Sequence, residues 1–200
     1  MQISNIRKVG SIVGVIFVLV AAVGIFLNQN KGSVVNPQAS EKVTEASSSG
    51  FEMNAAEIMF AQMMIPHHEQ AVIMAELALV KSTDKEIMAI ASEIKMAQSP
   101  EIIQMKSWLD KVGAGYMMGH HMGMNGMLSD SDLAVLKSAN GKKFDKLFLN
   151  GMIAHHEGAI EMASSISNSK NTEIKKLYLN VVSSQSAEIT VMKAMLLRLN

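Results

Sequence analysis

The feature that most constrains this chain is a stretch of twelve residues that occurs twice. Met64-Ile65-Pro66-His67-His68-Glu69-Gln70-Ala71-Val72-Ile73-Met74-Ala75 returns 88 residues later as Met152-Ile153-Ala154-His155-His156-Glu157-Gly158-Ala159-Ile160-Glu161-Met162-Ala163. Each copy lies in an apolar pattern of helical period. The segments that follow repeat as well. Gln98-Ser99-Pro100-Glu101-Ile102 matches Gln185-Ser186-Ala187-Glu188-Ile189, and Met105-Lys106 matches Met192-Lys193. These are offset by 87, so one residue is absorbed in a loop. One helical hairpin cannot bury its own apolar stripe. Two of the same design, packed together, predict an all-α four-helix bundle with a pseudo-twofold axis.

Local signals set the boundaries. Asn54 with Glu57 reads as a capping box opening a helix to about Val80, with a kink expected at Pro66. Thr83 with Glu86 reads as a second box, opening a helix to about Lys111 in which Pro100 is a point of bending or splitting. Ser129 and Asp132 start a short helix. Asn140-Gly141 turns the chain into a long helix from about Lys142 to Ile166, and the last helix runs from Thr172 to Leu199. The hairpins are therefore 54–111 and 129–199, within a domain spanning 53–200. A Gly-rich, Met/His-rich linker over 116–127 joins them.

Upstream, Val9 to Leu27 carries no charge and is long enough to cross a hydrocarbon core as a helix. Arg7 and Lys8 before it favour a cytoplasmic N-terminus. Residues 1–27 thus read as a membrane anchor that leaves the C-terminal domain outside the cytoplasm. The competing reading is a cleaved signal, with a secreted or periplasmic domain. Residues 28–52, rich in Ser, Asn and Gln, read as a flexible linker.

A helix advances about 100° per residue. With Phe60 at the centre of the buried face, Met64, His67, Ala71, Met74 and Ala78 fall within about 40° of it. His68 lies about 80° round, at the edge of the stripe, and Glu69 points away. Phe148, Met152, His155, Ala159 and Met162 repeat the inward set, with His156 at the boundary and Glu157 outside. On the partner helices, Gln98, Glu101 and Met105 share a face, as do Gln185, Glu188 and Met192. A buried Glu needs a donor, which His67 and His155 are placed to supply.

Taken singly, a core His is a hydrogen-bonded packing residue and a Met stripe is gap filler. Repetition of Met, His, His and Met at identical spacings argues for ligands instead. So does the linker, where His120 and His121 sit among Met117, Met118, Met122, Met124 and Met127, with no core for thioethers to fill. The 18 methionines and the absence of Cys set the donor chemistry. Thioether selects Cu(I), and imidazole accepts Cu(I) or Cu(II). Met plus His without thiolate suits copper outside the cytoplasm. Zinc is disfavoured by the lack of Cys. The chain has no Glu-x-x-His of di-iron bundles and no His-Glu-x-x-His of zincins. Eighteen basic against eighteen acidic residues give no excess for nucleic acid. No nucleophilic triad or phosphate loop is visible, so no catalytic residue is assigned and an enzyme is the less favoured class.

The doubled Met-Ile-x-His-His-Glu-x-Ala-x-x-Met-Ala motif, the Phe144-Asp145-x-Leu147-Phe148-Leu149 lead-in and the Gln-Ser-x-Glu-Ile partner motif resemble the DUF305 family. The resemblance covers about Asn54 to Leu199. It implies a ferritin-like bundle, export, and for some members copper binding or resistance. It matches Met64, His67, His68, Met74, Met152, His155, His156 and Met162, and a Met-rich linker is typical of the family. The expected function is copper sequestration, resistance or transfer, chiefly as Cu(I) and with Cu(II) also compatible. The expected ligands are those eight residues with His120, His121, Met122, Met124 and Met127. A copper-transfer protein is an expected partner. The rival readings are a copper-dependent oxidase and a non-metal helical bundle acting as a membrane-associated interaction module, its His pairs bonded to Glu101 and Glu188.

Overall fold

The computed structural model describes residues 50–116 and 124–200. Four long helices and one short one make up the described residues: α1 Ala55–Lys81, α2 Lys85–Lys111, α3 Asp130–Ser138, α4 Gly141–Ala163 and α5 Thr172–Leu199. A single 3-10 turn, Ser164–Ile166, tightens the end of α4. α1 pairs with α2 and α4 with α5 as two hairpins, and α1 packs on α4 to join them. This is the all-α double-hairpin fold expected from the repeat.

Caps explain where the helices start. Asn54 accepts from the backbone N–H of Ala56 and Glu57, while Glu57 bonds back to the Asn54 N–H at 2.8 Å. The box proposed at Thr83 is displaced by one residue. Asp84 is the cap of α2 and accepts from Glu86 and Ile87. An ionised carboxylate is a stronger acceptor for orphan N–H groups than a hydroxyl, and it also favours the helix N-terminal dipole. Both prolines lie inside continuous helices, so Pro100 does not split α2.

The expected membrane-spanning helix is corrected here. No helix among the described residues is long and apolar enough to cross a membrane. Each long helix carries a charged outer face, as in the Lys106–Glu69 and Lys193–Glu157 ion pairs. Residues 9–27, on which the expectation rested, lie outside the described residues. The membrane partner and the membrane-anchored location depended on that helix and are set aside with it.

The core is divided in two. One apolar cluster gathers Met74, Ile87, Ile94, Phe144, Phe148, Met152 and Met192. The other gathers Phe60, Met64, Met105, Trp108, Leu109, Ala159 and Leu177. The gap on α1 falls at residues 67–70 and on α4 at 155–158. There the buried side chains are His67, His68, Gln70, His155 and His156, joined by Gln98 from α2 and Gln185 from α5. A polar layer thus crosses the middle of the bundle, between two hydrophobic halves. The lower half is tied across the bundle by the Trp108 indole N–H, which donates to Glu173 at 3.0 Å.

Candidate metal centre

The two inward imidazoles meet. The His67 and His155 rings have centroids 3.7 Å apart and are tilted by 41°. Both side chains are fully buried. They come from antiparallel helices, so Met64 and Met152, each three residues before its His, fall in opposite halves of the core. Met74 shares the half of Met152. Met162 packs, half-buried, in the half of Met64. Thioethers therefore lie on both sides of the imidazole pair along the bundle axis. The methyl of Met74 reaches α4, where a Cβ built on Gly151 would stand 3.1 Å from it.

His68 and His156 are not at the edge of the stripe, as the projection of a single helix places them. Both are fully buried, because α2 and α5 cover them. His68 donates from Nε2 to Glu101 Oε2 at 2.9 Å, and His156 donates to Glu188 Oε2 at 2.6 Å. The donors to the two glutamates are therefore the second imidazole of each pair, not His67 and His155. In both rings the other nitrogen, Nδ1, is buried without a partner. Carboxylate bonded to one ring nitrogen with the other left open is the arrangement that orients imidazoles toward metals.

Unpartnered atoms concentrate in this layer. His67 Nδ1 and both ring nitrogens of His155 lack partners, as do the side-chain oxygens of Gln98 and Gln185. Each such buried polar atom costs about 1–3 kcal/mol. Burial is the main cause that lowers the His67 pKa from 6.5 to about 3, followed by repulsion from His68. Burial likewise pushes the His155 pKa well below 6.5, followed by repulsion from His67 and then His156. Both rings are thus neutral and keep a free lone pair at ordinary pH. Among the described residues no three His, Asp or Glu side chains converge as a metal-binding group.

One short strap closes the layer. His67 Nε2 lies 3.3 Å from the carbonyl of Asn125. Gln70 clasps the backbone of Leu128 twice, donating to its carbonyl at 2.9 Å and accepting from its N–H at 2.8 Å. On α4 a Cβ at Gly158 would stand 1.9 Å from the Asn125 carbonyl oxygen, so only glycine admits the strap there. Gly126, at φ +84°, approaches α4 in the same way.

Of the linker residues expected as ligands, Met124 and Met127 are half-buried at the start of this strap. His120, His121 and Met122 lie outside the described residues. Sequence reasoning missed Gln70 and Asn125. An inward Gln one turn after the His pair was the available signal for the first, and nothing local marked the second.

The family profile described as "Domain of unknown function (DUF305)" matches residues 57–196. The chain belongs to the DUF305 family. Its fold resembles a DUF305 candidate secreted protein of Streptomyces coelicolor, at 30% identity and a TM-score of 0.67 over 72% of this chain and 92% of that one. CopM in its Cu(II)-bound form is 37% identical, with a TM-score of 0.65 over 74% of this chain and all of CopM (100%). CopM in its Cu(I)-bound form is 35% identical, with a TM-score of 0.62 over 71% of this chain and 96% of that one. No curated protein matches. Of these similar proteins, CopM holds copper and the Streptomyces coelicolor protein is a secreted one.

Proposed function

We propose that this protein binds copper outside the cytoplasm, to sequester it or pass it on, chiefly as Cu(I). His67 and His155 hold the ion, with thioether from Met64, Met74 and Met152 on either side of them. His68 and His156, oriented by Glu101 and Glu188, contribute Nδ1 lone pairs. Bound copper would supply a soft Lewis acid to donors that otherwise have no partner. The observation that carries this reading is a closely approached, fully buried imidazole pair with three of its four ring nitrogens unpartnered. The CopM structures with Cu(I), Cu(II) and silver support the choice of metal. The secreted description of the Streptomyces coelicolor relative supports the location. Thermal melting of the purified protein with and without Cu(I) tests it. Copper at a hundredfold excess over its dissociation constant stabilises the native state by about 2.7 kcal/mol, and an unchanged midpoint contradicts the proposal.

A second reading is favoured by one observation. Nε2 of His68 and Nε2 of His156 are each held by a carboxylate without any metal. If the layer serves only to set the register of the bundle, melting ignores copper, and replacing the four imidazoles by Leu or Phe stabilises the protein.

A further inference from the structure

A separate groove of about 490 Å³ opens on the side of the bundle between α1, the strap and the end of α4. Met59, Met63, Met124 and Met162 line it. Apart from Ala56 and Phe60, every apolar side chain in its wall is methionine. Met59 and Met63 are one helical turn apart on α1 and so share a face. Met162 comes from α4 and Met124 from the strap. Packing alone does not select this set. Met59 is 59% exposed, so it fills no core gap. Leu, Ile or Val would cover Phe60 equally well at lower entropic cost. Glu161 adds the one carboxylate in the wall, and its hydrogen-bond donor, Asn125, is neutral.

We infer that this groove is a second binding site, for a soft monovalent metal cation, formed by the thioethers of Met59, Met63, Met124 and Met162 with Glu161 as counter-charge. Four neutral sulfurs select a soft ion, and a single carboxylate balances one positive charge. Asn125 links the two sites. Its side chain bonds Glu161 at the groove, while its carbonyl faces His67 in the buried layer. The groove is the open, exchangeable station and the imidazole layer the closed one. The inference rests on the copper reading for the identity of the metal in the cell, but the groove is tested with silver alone.

The test is Ag(I) binding to the full chain, read as bound equivalents and as residue-resolved protection of methionine from peroxide, mapped by mass spectrometry. Silver is expected to slow oxidation of Met59, Met63, Met124 and Met162 by at least about tenfold, since a coordinated sulfur lone pair is not available to the oxidant. Replacing all four (Met59→Leu, Met63→Leu, Met124→Leu, Met162→Leu) conserves volume and the fold, and is expected to remove one silver equivalent. A His67→Ala, His155→Ala variant is expected to keep that equivalent. Equal oxidation rates with and without silver, or unchanged equivalents in the four-Leu variant, overturn the groove. Loss of the equivalent from the His variant overturns it as well, by placing that ion in the buried layer. Retention of the groove equivalent together with no effect of the His variant on any other equivalent upholds the groove and overturns the buried copper site.

Discussion

The two hairpins carry the same residues at matched positions and use them alike, except where the strap crosses. His68–Glu101 and His156–Glu188 are the same bond in each half. So are the outer pairs Glu69–Lys106 and Glu157–Lys193. The halves part at Gln70, whose counterpart is Gly158. Gln70 grips the Leu128 backbone from one side, and Gly158 makes room for the Asn125 carbonyl on the other. His67 therefore faces a carbonyl while His155 has no partner at all. Duplication supplies two equal donor sets, and the strap makes them unequal by bringing a backbone carbonyl to the His67 ring but not to the His155 ring.

Acid should break both halves at once, with the largest effect. In the unfolded chain His takes up a proton near 6.5, whereas folded His67 does so only near 3 and folded His155 well below 6.5. Between those values the unfolded state binds more protons, so stability falls as pH falls below about 6.5. Each imidazole removes up to about 1.4 kcal/mol per pH unit, or about 3 kcal/mol for His67 by roughly pH 4.5, and His155 adds in the same direction. Urea titrations across that range check it. Replacing either His67 or His155 by Asn should make the slope shallower.

Gly158→Val attacks the slot in one half. Its side chain meets backbone rather than a flexible chain end, so a loss of about 3 kcal/mol is expected in chemical denaturation. Gln70→Ala attacks the clasp in the other half and should cost about 2 kcal/mol, by leaving two strap backbone groups unpaired. A larger loss at Gln70 than at Gly158 would reverse the roles assigned to them.

The smallest effects sharpen the comparison where the halves are equivalent. Lys106→Ala and Lys193→Ala remove half-exposed ion pairs and should each change stability by less than about 0.5 kcal/mol, and by the same amount. Unequal effects would mean that the outer faces are not equivalent.

Much of this was legible in the chain itself. Helical periodicity, the Asn54–Glu57 box and the duplicated motif carry the hairpins, because helix signals are local. The inward placement of His67 and His155 follows from one helix's register. The burial of His68 and His156 did not, since a projection about one axis cannot show that a neighbouring helix covers its flank. Gly158 admits the strap, a contact that no local pattern in its own helix announces. Asn125 meets His67 across 58 residues, and such contacts leave no trace in either segment alone.

Competition titration of Cu(I) against a chelator, on His67→Ala, His155→Ala and the double variant, addresses the buried layer most directly. If both imidazoles grip one ion, each single variant weakens binding by at least about tenfold, which is 1.4 kcal/mol. The double variant then adds little beyond the worse single, because residues serving one ion are not additive. A double variant that holds Cu(I) as tightly as the parent would contradict the account.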